Sequence, residues 1–148
     1  MIGRGIVAGF VATVVLSAMM LMKHSMGLMP ELDPIAMIAG MAGASSPAVG
    51  WIGHFVIGTV LWGIGFAIVS PYLPGAYWLR GTIFAVGAWL MMMMIVMMPI
   101  AGAGPFGLSL SMMTPVAALV LHIVFGLALG GIYGLLGNKQ GSIAGYLR

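Results

Sequence analysis

The 148-residue sequence contains no cysteine, which excludes disulfides, zinc–thiolate sites, iron–sulfur clusters and cysteine nucleophiles. Charge is almost as scarce. Asp, Glu, Lys and Arg together make up 5% of the chain, against about 25% in a soluble domain, too few to cover a water-facing surface. None of them falls inside the long apolar runs, so a carboxylate proton relay within the membrane has no support. No Ser-His-Asp arrangement, phosphate loop or HExxH motif is present, and an enzyme acting on its own is not expected. The five cations are scattered, which makes no nucleic-acid patch.

What fills the sequence is apolar: 62% of it is hydrophobic. A spanning helix needs about 20 such residues, and four runs qualify, at about residues 5–22, 48–69, 81–98 and 116–136. The expected fold is all-α, a single transmembrane domain over residues 1–148 built as a four-helix bundle. Ser46-Pro47 and Thr114-Pro115 each read as an N-cap before a proline at the first helical position. Ser70-Pro71 and Leu73-Pro74-Gly75 read as a tight turn, and Gly137-Asn138 as the end of the last helix. The first run follows Arg4 as a signal peptide would, but no small-x-small cleavage site follows it.

Lysine and arginine mark cytoplasmic loops. Arg4, Arg80, Lys139 and Arg148 fall on one side of a four-span chain, and Lys23, Glu31 and Asp33 on the other. Both termini are therefore expected inside, with residues 23–46 outside. Tyr72, Tyr77 and Trp78 then mark the inner interface and Trp51 the outer one. Lys23 reads as a snorkelling residue, and Asp33 and Glu31 as caps for a short helix beginning near Pro34.

The chain also repeats itself, residues 4–70 against about 80–138. With Pro47 set on Pro115, His54 faces His122, Gly58 faces Gly126 and Gly63-Ile64 faces Gly131-Ile132; seven of the 20 positions from Pro47 to Phe66 are identical. Arg4-Gly5 likewise matches Arg80-Gly81. Generic hydrophobicity does not supply matched Pro, His and Gly. Both copies start from the same side, so the expected architecture is two tandem, parallel helical hairpins about a pseudo-twofold axis along the membrane normal.

That repeat sets two histidines at equal depth, seven residues after each proline, or about 10 Å along the helix. Ionisable residues within a span usually face the bundle interior and are functional candidates. Gly50 and Gly58 flank His54, and Ala118 and Gly126 flank His122, at four-residue spacing. Small neighbours either let helices approach closely or leave room beside each ring for a macrocycle or metal. His24, whose counterpart is Ile100, joins them on the same side as a third candidate ligand. The fifteen methionines after the initiator all fall in the outer half or its loops, from Met19 and Met20 through Met91–Met94, Met97 and Met98 to Met112 and Met113. Thioether and imidazole suit Cu(I), and imidazole suits haem iron; methionine is equally a flexible filler of apolar cores.

The order Arg-Gly, an apolar run into a methionine-rich end, then Ser-Pro and a histidine in the next span resembles a family of uncharacterised bacterial inner-membrane proteins across nearly the whole chain. The resemblance implies that membrane and brings no activity or ligand with it. The expected function is a small membrane subunit holding haem b or copper through His54 and His122, with His24, Gly58 and Gly126 around them, near the periplasmic face. The alternative is a cofactor-free accessory subunit of a larger membrane complex, or a homodimer, in the lipid bilayer. A transporter ranks last, because Thr13, Ser17, Thr59 and Thr82 are nearly all the polar lining on offer.

Overall fold

The computed structural model describes residues 1–146, with side chains described through residue 137. It is all-helical. Among the described residues five longer helices follow in order, α1 (Ile2–Ser25), α2 (Pro34–Met41), α3 (Pro47–Tyr72), α4 (Tyr77–Ile100) and α5 (Thr114–Tyr146), with a single 3₁₀ turn, Pro105–Gly107, before the last. Among the described residues, four helices, all but α2, are long and apolar enough to cross a membrane; their spanning parts run 24 to 26 residues, or about 36–39 Å at 1.5 Å per residue. The chain is thus a multi-pass membrane bundle. Lys139 and Arg148 lie outside the described side chains.

The helices run up, down, up and down between an end carrying Arg4 and Arg80 and an end carrying the histidines. At the arginine end, backbones nearly touch. Gly5 and Gly9 of α1 pack on Gly58 and Gly63 of α3, and a Cβ on Gly5 would meet the Gly63 carbonyl oxygen. Gly81 and Ala85 of α4 pack on Gly126 and Gly130 of α5 in the same way. Without a hydrophobic force between helices in lipid, such close contact is what holds them together.

The two crossings differ by one residue. In α3 the contacting glycines are five apart, because Ile57–Trp62 forms a π-helical turn that carries an extra residue. In α5 they are four apart, as in an ordinary α-helix. Gly130 therefore does the packing that Gly63 does, whereas Gly131, its partner in the ungapped match, has open space where a Cβ would stand.

The arginines join one hairpin to the other. Arg4 of α1 donates from Nη2 to the Tyr133 carbonyl of α5 at 2.7 Å and lies over the Tyr133 ring at 4.3 Å. Arg80 of α4 donates from Nη1 to the Ser70 carbonyl at the end of α3 at 3.1 Å, and from Nε to the Gly75 carbonyl at 2.7 Å. The Ser70 carbonyl at the end of α3 is one that lipid could not satisfy, whereas the Tyr133 carbonyl lies within α5, which runs on to Tyr146.

Packing around the ring is unequal. α1 lies along α3 and α5, and α5 along α4, but α3 and α4 touch sparingly. Where α1 offers Ala8, the matching position of α4 is Phe84, and its ring stands against Trp62 at 5.8 Å and Phe66 at 5.5 Å. These aromatics hold α3 and α4 apart.

Three local expectations are corrected. Neither Ser46 nor Thr114 supplies a capping hydroxyl: Ser46 makes no side-chain cap bond, and Thr114 Oγ1 is buried without a partner among the described residues. Proline at the first position has no N–H, so each helix start has one fewer orphan donor to satisfy. The last helix does not stop at Gly137-Asn138 but continues to Tyr146; a single glycine costs a helix only about 1 kcal/mol.

The crossing is testable by two adjacent substitutions. Gly130→Ala would push a methyl into the Tyr77 carbonyl and should destabilise the bundle by about 1–3 kcal/mol. Gly131→Ala meets nothing and should be neutral or stabilising by up to about 1 kcal/mol. Unfolding in detergent, followed by helical signal, checks the contrast.

Candidate functional site

At the histidine end the four long helices leave a cavity of about 90 Å³, to which all of them contribute. His54 of α3 and His122 of α5 both line it, as do Met20 of α1 and Met92, Met93 and Met97 of α4. Leu32 and Ile38, before and on α2, close its outer side. The tertiary fold thus brings two imidazoles and four thioethers to one apolar space.

Local geometry explains the methionines. Met91–Val96 forms a second π-helical turn, and its wider turn carries Met92 and Met97, five residues apart, onto the same face as Met93. The run Met91–Met94 accordingly splits: Met92 and Met93 are buried, whereas Met91 and Met94 are exposed and face the bilayer side.

Each histidine is held by one ring nitrogen. His54, 7% exposed, contacts Ser17 Oγ through Nε2 at 3.1 Å. The Ser17 hydroxyl spends its single hydrogen on the Thr13 carbonyl at 2.7 Å. Towards His54 it can then only accept, which makes Nε2 the protonated nitrogen and leaves the Nδ1 lone pair. Trp51 and Phe55 meet the His54 ring edge-on, each 5.7 Å away. His122 shows the opposite tautomer: Nδ1–H donates to the Ala118 carbonyl one turn back at 2.7 Å, and the lone pair sits on Nε2. Neither His54 Nδ1 nor His122 Nε2 has a hydrogen-bond partner among the described residues. A ring held by one N–H with its other nitrogen bare is the arrangement of a metal-binding imidazole.

The remaining sequence candidates fall elsewhere. Gly126 faces Gly81 and Ala85 of α4, and although Gly58 borders the cavity, the space over it is filled by Thr13. Gly50 is covered by Ile35. Of the two readings of these small residues, close helix approach is the one realised. His24 does not join the pair. It lines a neighbouring cavity of about 300 Å³ with Asp33 and Trp51, and no group of three His, Asp or Glu converges among the described residues.

Sequence reasoning overlooked Ser17 as the His54 partner. The signal was available: Gly5, Gly9, Thr13 and Ser17 recur every four residues along the α1 face that meets α3. It also underestimated Lys23. Its ammonium donates to the carbonyls of Leu28, Met29 and Leu32 at 3.0, 2.9 and 2.9 Å, so it clasps the loop rather than snorkelling freely. Met29 adopts a left-handed backbone, φ 47°, within that clasp. Asp33 does cap α2, accepting from the Ile35 and Ala36 amides at 3.0 Å.

Fold and site together define a multi-pass membrane protein with an internal His/Met-lined cavity. The chain belongs to DUF6789, a family of unknown function whose model matches residues 1–143. It matches no curated protein. It matches no solved structure.

Lys23→Met should free the loop. Losing the charged hydrogen bonds lowers the cost of opening it by about 1 kcal/mol, so exchange of the Leu32 amide, bonded to the Met29 carbonyl, should speed up about fivefold. Hydrogen-exchange mass spectrometry of residues 28–33 checks this.

Proposed function

We propose that this protein is a small copper-handling membrane protein that binds one Cu(I) ion between His54 and His122, with cavity-lining methionines completing the site. The observation that carries the reading is that two histidines, each with one ring nitrogen left without a hydrogen-bond partner among the described residues, and four methionines line one apolar cavity. Such neutral, soft donors favour Cu(I) over harder cations. A monovalent ion in that donor set also leaves the least charge to bury in an apolar interior. Haem b is the weaker choice. Cofactor pockets hold about 300–1,000 Å³, whereas this cavity is about 90 Å³, a size that suits an ion.

The arrangement of arginines supports an orientation with both termini in the cytoplasm and the histidine end at the periplasmic side of a bacterial inner membrane, the membrane that the family resemblance implies. In that orientation the copper site lies beneath the outer surface, under the clasped loop.

Anaerobic titration of detergent-purified protein with Cu(I) should reach one ion per chain, with X-ray absorption reporting nitrogen and sulfur neighbours. His54→Ala and His122→Ala should each lower affinity by more than about 100-fold, and Ser17→Ala, which removes an outer-shell partner, by about tenfold. Wild-type protein that takes up no copper, or a double-histidine variant that still takes it up equally well, sinks the assignment. Copper-free protein that comigrates with a larger complex in mild detergent would instead support an accessory subunit.

A further inference from the structure

The second cavity adjoins the first. Met20, Leu32 and Pro34 line both, so these three residues form the partition between them. Of the three, Met20 alone carries a side-chain donor atom. Leu32 is 1% exposed and Met20 7% exposed, and Lys23 anchors the partition by its bond to the Leu32 carbonyl. On the far side stands His24, which is exposed at the end of α1. A path therefore runs from an exposed imidazole, through a buried thioether lining both spaces, to the two internal histidines.

Resting on the copper reading above, we propose that the second cavity is the loading vestibule of the site: His24 captures Cu(I) at the surface and Met20 passes it inward. A soft cation stripped of its donors has no favourable way through an apolar partition. Ligand exchange from imidazole to thioether to imidazole keeps it coordinated at every step and involves no change of oxidation state. Charge in the vestibule does not oppose this. Lys23 lines it, but its N–H groups are committed to three carbonyls, and Asp33 brings a carboxylate of opposite charge to the same lining.

Loading is measured by adding the purified full-length protein to a coloured Cu(I)–chelator complex without oxygen and following loss of the chelate absorbance in time. His24→Ala should slow the transfer about tenfold while leaving the final copper occupancy unchanged. Met20→Leu keeps the side-chain volume and removes the sulfur, and it should slow the transfer at least as much. Wild-type rates in both variants would remove the vestibule and leave the internal site standing, as would loss of equilibrium binding in His24→Ala, which would make His24 a permanent ligand. Wild-type protein that accepts no copper at all removes both proposals together.

Discussion

Backbone-to-backbone contact at the arginine end is the constraint from which the rest follows. In lipid, apolar side chains gain little by meeting one another, so helices associate where small residues let main chains approach. Gly5, Gly9, Gly58 and Gly63 provide this for one hairpin, and Gly81, Ala85, Gly126 and Gly130 for the other. With those crossings pinned, the remaining freedom lies at the opposite end. Nearer the arginines Phe84, wedged against Trp62 and Phe66, keeps α3 from closing on α4, and towards the other end a cavity remains for the histidines to line.

The π-helical turns link packing to chemistry. One in α3 moves Gly63 onto the crossing face; the other in α4 turns Met92, Met93 and Met97 to the cavity. Such turns give up regular hydrogen bonding and persist where packing fixes them, which is often at functional sites. They also make the site asymmetric. α3 and α5 each supply one histidine, yet only α4 supplies three cavity methionines, and the two imidazoles present opposite tautomers because Ser17 faces one and the Ala118 carbonyl the other.

Much of the architecture was legible in advance. Four apolar runs without internal charge can satisfy their backbones in lipid only as helices, and the proline and glycine breaks bound them. The placement of His54 and His122 within spanning helices was legible because each lies seven residues after a helix-starting proline. The caps were misread because Ser-Pro and Thr-Pro signal a helix start without guaranteeing a hydroxyl bond. The glycines beside the histidines were ambiguous by nature, since a missing side chain admits either a neighbouring helix or a ligand.

By itself, then, the sequence determined that the chain is helical and that it lies in lipid: composition and period suffice, because they depend on local propensity and on the solvent. Only the tertiary structure decided that those rings share one cavity, which methionines join them, and that His24 stands apart from them next door. Which face of a helix turns inward depends on a register that one inserted residue can rotate, and on how far neighbouring helices are held apart; neither is written in the spacing of a single helix.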